Sequence, residues 1–262
     1  MRNKKKERRK SKSLNLAFYF SGVVILIITI SILLKSFDVI RRSRFDGNNR
    51  FTVAILSNGK TDLVSVSPQE GSLTSLQIDA SSNLVSLGNL SFPIDAYAKT
   101  DSSFTSKTKY FFFKILLNKR KMQTNLTTID LLRLSIYAMS VNEERVKEGN
   151  VPPKDVNKLS LLSSTLFVDP VILEEKVSIQ ITNATEVSGL GNKLAKYITN
   201  MGGNVVLVNS SKDLKEKSEV MYARNSYTVK KFMKFFDIPG QKKNMNSISD
   251  IVIVVGKDRA GL

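Results

Sequence analysis

The apolar and polar positions of the chain divide into one long apolar run followed by shorter apolar stretches separated by polar turns. The long run, Leu14 to Leu34, holds 21 residues without a charge. As a helix it would cross the roughly 30 Å apolar layer of a bilayer. A buried core helix would have a polar face, and a cleaved signal peptide would have a shorter run before a small-residue site. The pattern therefore predicts an uncleaved transmembrane helix over 14–34.

The charges beside this run predict its orientation. Residues 1–13 carry eight Lys or Arg, whereas the ten residues after the run carry four. Under the positive-inside rule the tail 1–13 is cytoplasmic, and a tether at 35–50 leads to extracytoplasmic domains. The lipid membrane is then the first expected partner. A cytoplasmic polyanion-binding protein would require the opposite topology.

Residues 51–141 predict a small mixed α/β domain. Three strand-like runs lie between 51 and 80, with an imperfect alternation that suits a half-buried hairpin. An aromatic-rich segment follows whose apolar run suits a helix or a strand. The next segment predicts a helix with one apolar face formed by Ile129, Leu132, Ile136 and Met139. The polar stretch 142–173, with its paired prolines, predicts a linker.

The segment 174–262 has the clearest periodicity and predicts the order β-α-β-β-α-β. Its two helical stripes are Leu190, Leu194, Ile198 and Met201, then Val229, Phe232, Met233 and Phe236. "IVIVVG" is wholly apolar, which is typical of a central strand. The order suggests the split arrangement of a ferredoxin-like sandwich. The predicted fold class is α/β (α+β), with a membrane helix, a mixed domain and this C-terminal sandwich.

Composition narrows the possible chemistry. The chain has no cysteine and no histidine, which excludes disulfides, imidazole bases and most zinc sites. Of the net charge of +17, residues 1–13 contribute +7 and residues 14–45 contribute +3. A nucleic-acid binder would show a basic stripe interleaved with aromatics inside its folded domain. We therefore expect no metal, no cofactor and no nucleic-acid partner.

The turn "NATEVSGLGNK", residues 183–193, raises the question of a phosphate cradle. A dinucleotide fingerprint needs a third glycine where Leu194 stands, and an acidic residue after the second strand, which ends in "NSS". A Walker A loop needs a different spacing and a hydroxyl after the lysine. We expect no nucleotide here. Gly189 and Gly191 should permit a tight turn and close helix packing, and a weak anion site at this helix N-terminus stays open.

The same segment resembles the LytR C-terminal domain, a module of bacterial envelope proteins. "VSIQITNATEVSGLGNKLAKYITNMGGNVV" and the closing "SDIVIVVGKD" carry the resemblance. It implies an accessory envelope module without catalytic residues, commonly held outside the membrane behind a single anchor. Asn183, Gly189, Gly191 and Asp258 are the candidate ligand-binding residues in these two motifs.

The upstream "FTVAILSNGKTDLVSVSPQEGSLTSLQIDAS" resembles the first strands of the LytR-CpsA-Psr catalytic domain. That family transfers glycopolymers from a polyprenyl-phosphate lipid to the cell wall through Arg and Asp side chains. Here its R-x-D motif is reduced to Lys60-Thr61-Asp62, and I-P-R-D becomes Ile78-Asp79-Ala80-Ser81. A methyl group cannot grip pyrophosphate as a guanidinium does. We expect a degenerate, non-catalytic relative, with Asp62, alone or sharing a cation with Asp79, as the one catalytic candidate.

The sequence thus predicts a single-pass membrane protein of the cell envelope with a non-enzymatic binding module outside the membrane. Its expected partner is a cell-wall glycopolymer or another envelope protein. The alternative is a LytR-CpsA-Psr-type phosphotransferase with an altered site.

Overall fold

The chain is described here by a computed structural model. The ranges that it describes are 18–31, 34–35, 40–57, 60–78, 91, 93–100, 108–151, 162, 166–244 and 247–261. Residues 18–31 form a helix whose apolar side chains, such as Phe18 and Ile25, are largely exposed. No helix within the described ranges is both long enough and apolar enough to cross a membrane. The membrane helix over 14–34, part of which lies outside the described residues, therefore stays a prediction.

The first sheet has six strands in the order β5-β4-β1-β2-β3-β6. Its central strands form an antiparallel meander, while β4 runs parallel to β1 and β6 runs parallel to β3. The strand β6 lies where a linker was predicted, because its polar sequence belongs to an edge strand. The bounds are β1 (Phe51–Ser57), β2 (Lys60–Ser67), β3 (Ser72–Ile78), β4 (Ala96–Lys99), β5 (Gln123–Thr124) and β6 (Val146–Val151).

Both faces of the first sheet are covered, so the prediction of a half-buried hairpin was wrong. One face carries a core that includes Val53, Val64 and Phe112. The other face carries a second core, in which Leu63 and Leu76 meet Phe167. Because side chains alternate between the faces, seven of the eight β2 residues are buried. Two-sided burial explains why the apolar alternation is imperfect in the sequence.

Two helices, α1 (Phe111–Asn118) and α2 (Thr128–Ser140), cover one face of this sheet. The predicted inner face of α2 was wrong. Leu132, Ile136 and Met139 are exposed, whereas the buried face carries Leu131, Leu134, Ala138, Asp130 and Ser135. The carboxylate of Asp130 accepts hydrogen bonds from the backbone N–H groups of Arg44 and Phe45, both at 2.9 Å. A polar residue with these partners is stable in the interior, and an apolar count alone misplaces the face.

The C-terminal part confirms the predicted β-α-β-β-α-β elements and adds a short strand, β10. The strands are β7 (Ser178–Asn183), β8 (Asn204–Ser210), β9 (Glu219–Tyr222), β10 (Gly240–Lys242) and β11 (Ile251–Val255). The helices are α3 (Pro170–Glu175), α4 (Leu190–Asn200) and α5 (Tyr227–Phe236). As predicted, both long helices bury their stripes against one face of the sheet.

The strand order, β10-β9-β11-β7-β8, corrects the predicted topology. A split β-α-β unit has another strand between its two parallel strands, whereas β7 and β8 are direct parallel neighbours. The apolar strand β11 lies in the middle of the sheet, as predicted, parallel to β7 and antiparallel to β9. Its five residues are all buried because helices cover one face and Ala184 packs beside Val252 and Val254 on the other.

Candidate functional site: a basic cleft

Asp62, the catalytic candidate from the sequence, lies within β2 opposite Ile55 and Gln77. Only 6% of it is exposed, so its carboxylate offers little surface to a substrate. Its suggested cation partner, Asp79, lies outside the described residues. Within the described ranges, no three acidic side chains converge as a metal site.

Asn183, at the end of β7, organises the turn that follows. Its Oδ1 accepts hydrogen bonds from the backbone and the hydroxyl of Thr185, at 3.1 and 2.7 Å. Its Nδ2 donates to the carbonyl oxygen of Val187 at 2.8 Å. The amide therefore meets the backbone of its own turn, an arrangement typical of Asn in tight connections.

The two glycines of the turn have the structural roles that the sequence suggested. Gly189 has a φ of +79° at the start of α4, a conformation that other residues rarely adopt. A Cβ on Gly191 would lie 3.0 Å from Cγ1 of Val208, so the missing side chain lets α4 approach the sheet. Both glycines therefore have a structural role in the turn.

Asp258 also holds the fold together. Its carboxylate accepts hydrogen bonds from the backbone N–H and the hydroxyl of Ser218, at 2.8 and 2.7 Å. These bonds lower the pKa of Asp258 and join the segment after β11 to the one before β9. The four candidate ligand-binding residues thus have structural roles in the fold, and their binding of a ligand stays a prediction.

A different concave site lies between α5 and the segment that leads into β1. It encloses about 200 Å³ and combines five basic side chains with two carboxylates and several apolar groups. We call it the basic cleft. Its lining residues are Arg44, Asp46, Asn49, Arg50, Phe51, Ile94, Asp95, Tyr227, Lys230, Lys231, Lys234 and Phe235.

The helix α5 supplies one wall of the basic cleft. The side chain of Ser226 caps this helix, accepting a hydrogen bond from the N–H of Val229. Val229 and Phe232 anchor the opposite face in the core, so Lys230, Lys231 and Lys234 face away from that core. Three ammonium groups are thereby held on a short stretch of rigid helix.

Lys231 joins the two walls. Its ammonium lies 2.6 Å from Oδ1 of Asp95 and donates to the carbonyl oxygen of Arg50. The other oxygen of Asp95 accepts the N–H of Thr52 in β1. Both side chains of this ion pair are about one-eighth exposed, at 13% and 12%. The pair is therefore a structural element of the cleft.

Arg50 forms the buried end of the cleft. Its guanidinium pairs with Glu70 and donates to the carbonyl oxygen of Leu166, while its Nε has no partner among the described residues. Burial lowers the pKa of Arg50, and the charge of Glu70 works in the opposite direction. An arginine remains protonated at neutral pH even so.

The remaining cations give the cleft its excess positive charge. Lys234 donates to the carbonyl oxygen of Arg44, and burial lowers its pKa. Lys230 is exposed and forms no ion pair in the described part of the chain. The carboxylate of Asp46 is bonded within its own turn, to Asn48 and Asn49. The arrangement can hold an anionic group, for which Lys230 is the most accessible donor.

The basic cleft could not be predicted from local sequence patterns, because its residues come from three distant segments, near 44–51, 94–95 and 227–235. The available signal was the group of three lysines opposite the apolar stripe of α5. Lysines on the polar side of a helix are usually solvated, so this signal alone did not distinguish a site.

Comparison with known proteins supports the recognition of the C-terminal domain. Residues 176–258 match the family model described as "LytR cell envelope-related transcriptional attenuator". No curated protein sequence matches the chain.

Two solved structures show only distant similarity. The transcriptional regulator yvhJ from Bacillus subtilis aligns over 44% of this chain and 95% of its own, with 9% identity and a TM-score of 0.33. The Lin1025 protein from Listeria innocua aligns over 73% of this chain and 100% of its own, with 12% identity and a TM-score of 0.19. The similarity of this chain to a known family accordingly rests on the match of residues 176–258 to the LytR cell envelope-related family model.

Proposed function

We propose that this protein is a single-pass, membrane-anchored accessory protein of the cell envelope that binds an anionic envelope glycopolymer and is not an enzyme. The envelope-related family match at residues 176–258 supports the setting. The exposed apolar helix at 18–31, behind a tail with eight basic residues, supports an anchor with its N-terminus in the cytoplasm.

The basic cleft is the observation that supports an anionic ligand. Its five cations outnumber its two carboxylates. After the ion pairs Lys231–Asp95 and Arg50–Glu70, three cations remain beside the carboxylate of Asp46. A phosphate or carboxylate on a polymer would complete the coordination of Lys230 and its neighbours. A neutral polysaccharide would leave the ammonium group of Lys230 without a counter-charge.

The binding part is tested with the full-length chain in lipid nanodiscs and poly(glycerol phosphate) as an anionic phosphodiester probe. We expect measurable binding that weakens as salt is added, and that weakens several-fold in Lys230→Gln. Lys212→Gln removes an exposed lysine that does not line the cleft and should leave binding unchanged. Equal affinity of the wild type and Lys230→Gln for this polymer would exclude the cleft as its site.

The topology is tested separately in intact spheroplasts. A protease added outside should remove an epitope placed after residue 262 and spare one placed before residue 1. Carbonate washing should leave the chain in the membrane fraction. A protected C-terminal epitope would show that the domains are cytoplasmic and would refute the envelope assignment.

A further inference from the structure

The two helices of the first domain leave a second surface unaccounted for. Because α1 and α2 cover the same face of the first sheet, their opposite sides both point away from it. Those sides expose Tyr110, at the start of α1, with Phe113 and Leu117, and on α2 Leu132, Ile136 and Met139. We call these six residues the α1–α2 patch. Leu117 is 70% exposed and Ile136 is 58% exposed, an unusual degree of exposure for large apolar side chains that recur along one side of a helix.

Basic residues cluster at the α1 end of the patch, whereas the exposed acidic residues Glu143 and Glu144 follow the far end of α2. Between residues 102 and 129 the chain has six Lys or Arg and no Asp or Glu. Arg120 and Lys121 follow directly after α1 and are exposed, and Lys114 lies on the helix itself. Arg133 lies on the outer part of α2, where its guanidinium donates to the carbonyl oxygen of Phe45. Apolar and aromatic residues beside clustered cations are typical of protein surfaces that rest on anionic bilayers.

We propose that the α1–α2 patch lies on the anionic lipid surface of the membrane, with its apolar side chains among the lipids and its cations at the head groups. A second copy of the chain is a poorer occupant, because a two-fold contact through the patch would bring two basic clusters together. This inference rests on the proposed anchoring, which holds the domain beside a bilayer. It adds that the domain is held against the surface.

The absence of cysteine from the chain permits a direct test. Leu117→Cys, labelled with an environment-sensitive fluorophore in the full-length chain, places one probe in the patch. Asp213→Cys places a matched probe at an exposed position of the C-terminal domain. Both proteins are reconstituted into phosphatidylcholine vesicles with and without phosphatidylglycerol, and quenching by nitroxide-labelled lipid is measured.

We expect quenching at residue 117 to be several-fold stronger than at residue 213, and strongest in the vesicles that contain phosphatidylglycerol. Adding Arg120→Glu and Lys121→Glu should abolish that dependence on anionic lipid, because each removes an attraction to the head groups. Equal, weak quenching at both probes would overturn the proposal. If the fluorescence of the probe at residue 117 changes with protein concentration in detergent, without lipid, the proposal is overturned in favour of a second copy of the chain.

The outcome is separable from that of the proposed function. If the chain stays with the vesicles in carbonate while residue 117 is not quenched, the anchor stands and the lipid surface is wrong. If carbonate removes the chain, the anchor is wrong. The patch is then tested by sedimentation of the unanchored chain with phosphatidylglycerol vesicles, and failure to sediment overturns it.

Discussion

The two sheets of this chain differ in how their two faces are buried. The first sheet carries a large core on each face, whereas the second packs its helices on one face and has only a small apolar cluster on the other. The difference is visible in single strands. β2 is buried at seven of its eight positions, and β7 alternates between buried and half-buried positions along its whole length.

This difference determines how well the strands of each domain can be predicted from the sequence. A strand with one buried face shows apolar residues at every second position, so its register is apparent. A strand buried on both faces admits Thr, Ser and Asp wherever partners are available, as at Thr52, Thr61 and Asp62. The C-terminal domain therefore shows a regular alternation of apolar and polar residues, and the alternation in the first domain is irregular.

The largest expected effect comes from truncating a buried side chain in one core and measuring whether the other sheet is also destabilised. Phe232 is fully buried between α5 and the second sheet, so Phe232→Ala should lower the free energy of unfolding by about 3–5 kcal/mol. Hydrogen exchange should accelerate in β7 and β11 and remain slow in β1 and β2, because the two sheets have separate cores.

Phe112→Ala is the matched change in the first sheet, since Phe112 is equally buried. It should reverse the pattern, accelerating exchange in β1 and β2 alone. If either variant accelerates exchange equally in both sheets, the two domains unfold as one cooperative unit. Their separate cores then do not give them separate stabilities.

The second expected effect concerns the ion pair that joins the domains. Lys231→Met keeps the apolar stem but removes the ammonium group, leaving the carboxylate of Asp95 with only Thr52 as a partner among the contacts described. We expect the free energy of unfolding to fall by about 2–4 kcal/mol. This is at the low end for a buried ion pair, because both side chains keep some exposure. Chemical denaturation measures this fall.

A double-mutant cycle separates the pair from its surroundings. Lys231→Met combined with Asp95→Asn should cost less than the two single changes added together, because no unpaired charge remains. Strict additivity of the three values would show that the two groups do not stabilise each other.

Most of the C-terminal fold could be predicted because local signals agree there. The stripe of α4, the turn glycines and the apolar β11 each correspond to one observed feature. The strand order could not be predicted, because periodicity indicates which face of a strand is buried and does not identify its neighbours. Thus β7 and β8 were expected to be separated and are adjacent.

The candidate site was less predictable still. Asn183 and Asp258 were singled out by motif, yet their hydrogen bonds hold turns together. The basic cleft depends on Lys231 reaching Asp95, a contact across 136 positions of sequence. Local periodicity contains no information about such a pair, and the buried face of α2 was misassigned for a similar reason, since Asp130 is fixed by a backbone 85 residues away.

The smallest effect tests how α5, the helix that carries the cleft lysines, is fixed at its start. The carboxylate of Glu175 accepts the N–H groups of Tyr227 and Thr228, at 2.9 and 2.8 Å. Burial works to raise the pKa of Glu175, but these hydrogen bonds outweigh it and hold the pKa below the ordinary 4.5. Glu175→Gln keeps one acceptor and loses the charge beside the helix N-terminus, so it should cost about 1 kcal/mol at neutral pH.

The pH dependence of this loss distinguishes the carboxylate from mere packing. Because the folded pKa of Glu175 is lowered, its contribution is present above pH 4.5 and disappears as the pH falls through the folded value. The gap in unfolding free energy between the wild type and Glu175→Gln should therefore close in acid, while the exposed neighbour Glu174→Gln shows almost no gap at either pH. A gap that stays constant from neutral pH into acid would mean that shape at residue 175, and not its charge, positions the wall of the cleft.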